Sequence, residues 1–280
     1  MSFTSFTNIK LDKQIWKLLK DVSKSDEGIG GQSTIEVNDD MTIIKKQYNK
    51  RDHKYYKNER LILANVSHPN IIKLLGYDDD TYTLYLPYYK KGCAFNYYKE
   101  NETIDLSDRY DILYKLYNDM LSALHYLYKN NITHRDIKLE NILLDEDGTH
   151  ILCDFGLSKP QIYKMTKTCG TYNYMAPELY YLGKNNNKTY DYKIDIFSLG
   201  SLIIELGNGD SLFYDEYRQR FKRVYKELGD FYENKEEKLF NKIWYSMDKW
   251  TNFRKILKAM IHPDPLNRIL YDDIYKMLDE

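Results

Sequence analysis

The sequence predicts a two-lobed α+β fold, a small β-rich N-terminal lobe followed by a larger helical C-terminal lobe, and three observations carry that expectation. Residues 34–48, TIEVNDDMTIIKKQY, are two short β-like runs around an Asn-Asp-Asp turn, the pattern of a hairpin. In LSDRYDILYKLYNDMLSALHYLYKNN, from residue 106, the period changes: Leu113, Leu116, Met120, Leu121, Leu124 and Leu127 recur at the spacing of one helix face. With 280 residues, 42% of them hydrophobic, the chain has material for one large domain or two lobes around a cleft.

Between these regions, HKYYKNERLILANV places Leu61, Leu63 and Val66 on a helical pattern, TYTLYLPYY returns to strand, and Pro87 to Gly92 forms the junction with the helical part. No repeat, low-complexity tract or Pro/Gly/Ser linker divides the chain. Ahead of the hairpin, DEGIGGQSTIEV puts three glycines in four positions; by itself this is a flexible turn or a loop that wraps phosphates.

A net charge of −1 and the absence of a long Lys/Arg block argue against nucleic acid as a partner, and short runs such as Lys90-Lys91 read as solvated rims. Cys93, Cys153 and Cys169 have no CxxC spacing, so neither a disulfide framework nor a zinc site is expected, and a reducing compartment fits best. The N-terminus lacks the apolar core of a signal peptide, Ser2 excludes myristoylation, and no run of about 18 apolar residues could span a bilayer. The expectation is a soluble, intracellular protein, cytoplasmic or alternatively nuclear, without a membrane partner. The 29 tyrosines, with many Asn, Lys and Ile, match the codon bias of an AT-rich genome.

Three motifs make the chemistry specific: THRDIKLENILL (133–144), CDFGLSK (153–159) and GTYNYMAPE (170–178). Together they resemble the eukaryotic protein kinase family, whose HRD, DFG and APE motifs occur in this order, and the resemblance runs from about residue 20 to the C-terminus. It implies a single catalytic domain over residues 1–280, with an N-lobe at about 15–88, a hinge at about 87–92 and a C-lobe from about 93, and with ATP and Mg²⁺ in the cleft. Phosphoryl transfer is largely positioning and charge neutralisation, so it needs metal-holding oxygens, a cation on the phosphates and a base near the hydroxyl. By resemblance, Asp136 orients the acceptor hydroxyl and takes its proton, Lys138 neutralises the transferring group, and Asn141 and Asp154 supply the hard oxygens that Mg²⁺ prefers. Lys138 also implies a Ser/Thr acceptor on a protein substrate.

The family places a phosphate-pairing lysine on the third strand and a glutamate on the next helix. Glu59 fits the glutamate, nine positions before His68 of the HPN turn. Lys45 fits the lysine, because alternation puts it on a face with Ile43, expected to line the adenine pocket; Lys46 competes for the role. In the favoured register of the glycine loop, Gly28 and Gly30 are the first two glycines, Ser33 occupies the third slot, Ile35 the valine slot, and Gly31 is extra. Backbone N–H groups of residues 29–33 then approach the phosphates. In LYLPYYKKG, Leu86 matches the gatekeeper, Pro87 offers its carbonyl and Tyr89 its N–H to adenine; a register with Pro87 as gatekeeper remains open. Leu143 completes the implied nucleotide contacts.

Further matches carry structural roles: Asp195 braces the catalytic loop, Arg268 pairs with Glu178, and Leu63, His134 and Phe155, with Leu74 or Leu75, stack as a hydrophobic spine. In many relatives the Arg before the catalytic Asp, here Arg135, pairs with a phosphothreonine in the activation segment. Lys167 fills that slot here, flanked by Thr166 and Thr168, so Thr168 or Thr166 is the expected phosphorylation site and Thr171 the structural threonine contacting Asp136 and Lys138. A pseudokinase scaffold is the rival reading, suggested by the degenerate glycine loop and by Ile43 in the usual alanine slot. A small-molecule kinase is a second rival, weakened by the APE segment and its Arg partner.

Overall fold

The computed structural model describes residues 16–18, 33–100, 106–161, 170, 174–182, 189–208, 240, 242–245 and 249–279. The expected hairpin is present: β2 (Ser33–Asn38) and β3 (Ile43–Tyr48) pair antiparallel. Asn38 closes its turn, its side-chain carbonyl accepting from the Thr42 and Ile43 N–H groups, both at 2.9 Å. With β1 (Trp16–Leu18), β4 (Gly76–Asp78) and β5 (Thr83–Pro87) the strands form one antiparallel sheet in the order β1-β2-β3-β5-β4.

Directly opposed residues in an antiparallel ladder point to the same side. The register Ile35–Lys46, Val37–Ile44, Ile44–Leu86 and Lys46–Leu84 therefore gathers those six side chains on one face, while Glu36, Lys45 and Tyr85 line the other. The first face is the inner one, for Val37, Leu84 and Leu86 are buried. Helix α1 (His53–Leu63) connects β3 to β4 and turns Tyr56, Glu59, Ile62 and Leu63 inward. Val66 packs partly buried against the same core. Leu61 corrects the sequence reading: it lies off the inward stripe and is 57% exposed.

Beyond β5 the chain is mainly helical, with α2 (Ala94–Glu100), α3 (Leu106–Lys129), α4 (Pro177–Leu182), α5 (Lys193–Asn208), α6 (Lys249–Met260) and α7 (Tyr271–Leu278). All six α3 residues expected to face the core are buried, and α5 is buried along most of its length. Among the described residues no helix is long and apolar enough to cross a membrane. Two short antiparallel pairs sit on this helical part: β6 (Ile132–Thr133) with β9 (Lys159–Pro160), and β7 (Ile142–Leu144) with β8 (His150–Leu152). The β6–β7 loop carries residues 134–141, and the turn after β8 carries 153–158. Backbone bonds from Ile72 N–H to Leu152 O and from Leu152 N–H to Asn70 O, each 2.9 Å, tie this unit to the chain leaving α1.

The passage from β5 to α2 is fixed at three points. Tyr88 N–H donates to Thr42 O (2.8 Å), Gly92 N–H to Tyr89 O (3.0 Å), and Leu144 N–H to Gly92 O (3.1 Å). Gly92 adopts φ +70°, a left-handed conformation that a side chain would disfavour.

Candidate active site

The β6–β7 loop is organised from below by Asp195, in the first turn of α5. Its buried carboxylate accepts the His134 and Arg135 N–H groups at 2.6 and 2.8 Å. Burial pushes the Asp195 carboxyl up to about 7, against the two N–H bonds that favour its charge. His134 is itself fully buried, which lowers its pKa and keeps the ring neutral. One ring nitrogen, Nδ1, accepts the Asp136 N–H at 3.3 Å, so Nε2 carries the proton donated to Cys153 O at 3.1 Å. The His134 ring meets Phe155 edge-on at 4.8 Å. Leu63 and Leu74 are buried in the same core while Leu75 is half-buried, so burial selects Leu74 for the spine.

Asp136 has its carboxylate anchored through one oxygen by two neighbours on the same loop. Asn141 Nδ2 donates to its Oδ2 (3.0 Å) and its backbone O (2.8 Å), and Lys138 Nζ lies 3.2 Å from the same Oδ2. Burial acts against the Lys138 charge, but Asp136, with Glu140 and Asp154, outweighs it and raises its pKa. Because the Asn141 amide nitrogen is committed to Asp136, its Oδ1 is the atom that can face a cation.

Across the cleft, the paired lysine is Lys46. Its Nζ lies 2.9 Å from Glu59 Oε2 and 3.1 Å from Asp154 Oδ1. Lys45 instead points to the outer face, paired with Glu36 at 2.9 Å, and both side chains are partly exposed. This corrects the reading of Lys45 and of Ile43: those two do share a face, but it is the outer one, and Ile44 is the residue that lines the cleft beside Lys46. Leu86 lies opposite Ile44 on the inner face and Pro87 opposite Ile43, which favours Leu86 over Pro87 at the gatekeeper position. Ile35 stands opposite Lys46, Ser33 begins β2, and Leu143 bridges to Cys93 below.

Charge explains why this cluster holds together. Burial works against the Lys46 ammonium, but Asp154 and Glu59 outweigh it and hold its pKa well above the usual lysine value. The surroundings likewise oppose the Asp154 charge, and Lys46 overrides them, keeping the carboxyl below the ordinary range. The Asp154 side chain remains 46% exposed, open to the cleft. Asn141 and Asp154 are joined through the Cys153 N–H to Asn141 O bond (2.9 Å). One carboxylate and one amide oxygen make a sparse hard-oxygen site, the kind Mg²⁺ completes with water and phosphate oxygens. The residues present therefore fit the implied ion.

Two participants are absent from the sequence reading. Tyr48, two residues beyond Lys46 on the same face, donates its hydroxyl to Glu59 Oε2 and lies with its ring 5.0 Å from Lys46 Nζ. Burial raises its pKa well above the usual phenol value, so it remains a donor. Asn58 donates to the backbone behind Phe155. The inner-face alternation Ile44-Lys46-Tyr48 was the available signal for Tyr48; Asn58 has no local one.

On the far side of the loop, Arg268 grips Glu178 bidentately at 2.6 and 2.9 Å with its side chain fully buried. Gly170 sits at φ +98° against the catalytic loop, where a Cβ would lie 2.5 Å from Arg135 O. Arg135 Nε donates to Leu157 O (2.6 Å) and its NH1 to Tyr190 OH (3.0 Å). Gly28, Gly30, Gly31, Thr166, Thr168 and Thr171 lie outside the described residues.

A β-sheet lobe whose Lys46–Glu59 pair meets Asp154 of a helical lobe, which also carries the Asp136–Lys138–Asn141 loop, is a two-lobed kinase-type arrangement. The protein kinase domain family matches residues 34–277, and the chain belongs to that family. It is 30% identical over 236 residues to an Aurora kinase of Eremothecium gossypii, covering 82% of this chain and 57% of the relative. A mitogen-activated protein kinase kinase kinase 1b of Physcomitrium patens is 32% identical over 200 residues, 70% of this chain and 22% of the relative. The mouse cAMP-dependent protein kinase catalytic subunit PRKX is 31% identical over 168 residues, 59% and 45% of the two chains. The chain thus spans less than two thirds of the length of each of these relatives.

Proposed function

We propose that the protein is an active serine/threonine protein kinase that transfers the γ-phosphate of ATP to protein hydroxyls in a Mg²⁺-dependent reaction, within the single catalytic domain described above. The observation that carries this reading is the Lys46 ammonium held between Glu59 and Asp154, at 2.9 and 3.1 Å, across the cleft from the Asp136–Lys138–Asn141 loop. Lys46 would align the nucleotide phosphates, and Asn141 and Asp154 would hold Mg²⁺, whose charge would neutralise the phosphate oxygens. Asp136 orients the acceptor hydroxyl and takes its proton, with Lys138 beside it to screen the charge on the transferring group. Ile35, Ile44 and Leu86 above and Leu143 below would enclose adenine, with Pro87 O and Tyr89 N–H as its bonding partners, and Gly28, Gly30, Gly31 and Ser33 are proposed for the loop over the phosphates. Lys138 supports a Ser/Thr acceptor, and the relatives reported above carry the names of kinases. Thr168, or Thr166, is the proposed phosphorylation site that orders the segment near Arg135, with Thr171 structural.

The bulk of Ile44 in the adenine roof, where the family commonly has alanine, favours a second reading, a scaffold that binds partners without transferring phosphate. Transfer of labelled γ-phosphate to generic protein substrates with Mg²⁺, with Asp136→Asn as control, separates the two. Transfer by the native chain and none by the control is expected; no transfer by either establishes the scaffold.

A further inference from the structure

Helix α1 holds the Asp154 segment through two consecutive residues. Glu59 takes the Phe155 N–H at 3.3 Å, and Asn58 Nδ2 donates to Phe155 O at 3.0 Å, Gly156 O at 3.1 Å and Ser158 O at 2.6 Å. Residue 155 is thus gripped from one helix by both its N–H and its carbonyl. The three carbonyls converge because residues 155–158 form a tight turn, closed by Ser158 N–H to Phe155 O at 3.1 Å. Their dipoles point at one spot, which calls for a donor; an amide NH₂ supplies two hydrogens and no charge.

This turn begins at a conformation that needs outside support. Asp154 sits at φ +62°, in the left-handed region that costs a non-glycine residue about 1–3 kcal/mol and persists only where surroundings enforce it. The neighbouring Gly156 lies close beside α1 and β3: a Cβ there would make ordinary van der Waals contacts with Asp154 Oδ1 (3.4 Å), Tyr55 Cβ (3.5 Å) and Tyr48 OH (3.7 Å). Lys46 steers the Asp154 side chain, but the backbone that aims it is secured by Asn58.

We propose that Asn58 is a positioning residue that fixes the backbone of the turn carrying Asp154. Asn58 and Glu59 together fix the turn so that Asp154 faces the cleft; without the Asn58 amide the three carbonyls lose that donor at once, and Phe155 O keeps the Ser158 N–H. This rests on the metal-holding role given to Asp154 above.

The test compares native protein with Asn58→Leu, similar in size but without donors, and Asn58→Asp, which places an acceptor before three carbonyls. In Asn58→Leu, kcat falls about tenfold and the Mg²⁺ concentration for half-maximal rate rises, while KM for the protein substrate stays within about twofold. Asn58→Asp is slower still at pH 8 and recovers toward Asn58→Leu as the pH is lowered, because a protonated carboxyl can donate. A residue that only stabilised the fold would lower the melting temperature and leave the kinetics of the folded enzyme and this pH trend unmoved. Native kcat and Mg²⁺ dependence in a folded Asn58→Leu, or in Asn58→Asp should the leucine variant not fold, overturns the proposal. If the native chain transfers no phosphate, the functional reading has failed and amide hydrogen exchange decides alone. About tenfold faster exchange at Phe155 and Ser158 in the variant, with Leu152 unchanged, supports the positioning role; equal protection at all three overturns it.

Discussion

The catalytic loop and strand β3 both bring charged groups to the cleft, but they secure them over different distances along the chain. Asp136 is held by Lys138 and Asn141, two and five positions away, on a loop whose backbone is pinned by the buried Asp195. Lys46 is held by Glu59, 13 positions on, and by Asp154, 108 positions on. The loop is a local construction that persists while the helical lobe is folded. The β3 cluster exists only when α1 and the Asp154 turn are both in place. The lower half of the site is therefore built within one lobe, and the upper half is assembled from three separate segments, β3, α1 and the Asp154 turn.

Substitutions in the two regions should differ in kind. The largest effect on rate is expected at Asp136→Asn: transfer falls by about 10²–10⁴, the range for a lost general base, while the melting temperature changes little because an amide oxygen still accepts from Asn141 and Lys138. A thermally fragile Asp136→Asn protein would break the picture of a self-supporting loop. Glu59→Gln in the upper cluster should lose both rate and stability, the latter by about 2–3 kcal/mol in denaturant unfolding, since charged hydrogen bonds to Lys46 and Tyr48 are weakened together.

Acid sensitivity sharpens the contrast. Lys46 holds the Asp154 carboxyl below its ordinary range, and a depressed carboxyl contributes stability that is present above its unfolded pKa and is lost as pH falls through the folded value. Native protein should lose this contribution only below the ordinary carboxylate range. In Lys46→Met the loss should move to higher pH, and acid titrations that superimpose would contradict the coupling. The smallest effect belongs to Lys45→Met, at most about 1 kcal/mol, because its partner Glu36 is also partly exposed and surface pairs contribute little.

Sequence legibility follows the same division. HRDIKLEN compresses its chemistry into eight consecutive residues, and the Asp195 and Glu178–Arg268 braces came with the resemblance, so the lower site could be read without coordinates. On β3, two adjacent lysines differ by one residue, and a one-residue slip exchanges the faces of a strand. The deciding signals were Tyr48 against Gln47 on β3, and Ile35 and Val37 against Thr34 and Glu36 on β2, which make the Ile44-Lys46-Tyr48 side the apolar one. Leu61 shows the same limit: it belongs to the helical pattern, but packing sets the buried stripe one position away, at Ile62. Asn58 was unreadable in principle, since its three acceptors lie 97, 98 and 100 positions distant.

The central claim is that the β3 lysine of the active cluster is Lys46 and that its neighbour is a bystander on the outer face. The most direct measurement is γ-phosphate transfer by Lys45→Met and Lys46→Met, purified side by side and assayed at saturating protein substrate with ATP varied. The expected result is a loss of about 10²-fold or more in kcat/KM for ATP in Lys46→Met, more than about 3 kcal/mol of transition-state stabilisation, with Lys45→Met within about twofold of native. Near-native transfer by Lys46→Met together with an inactive Lys45→Met would contradict it.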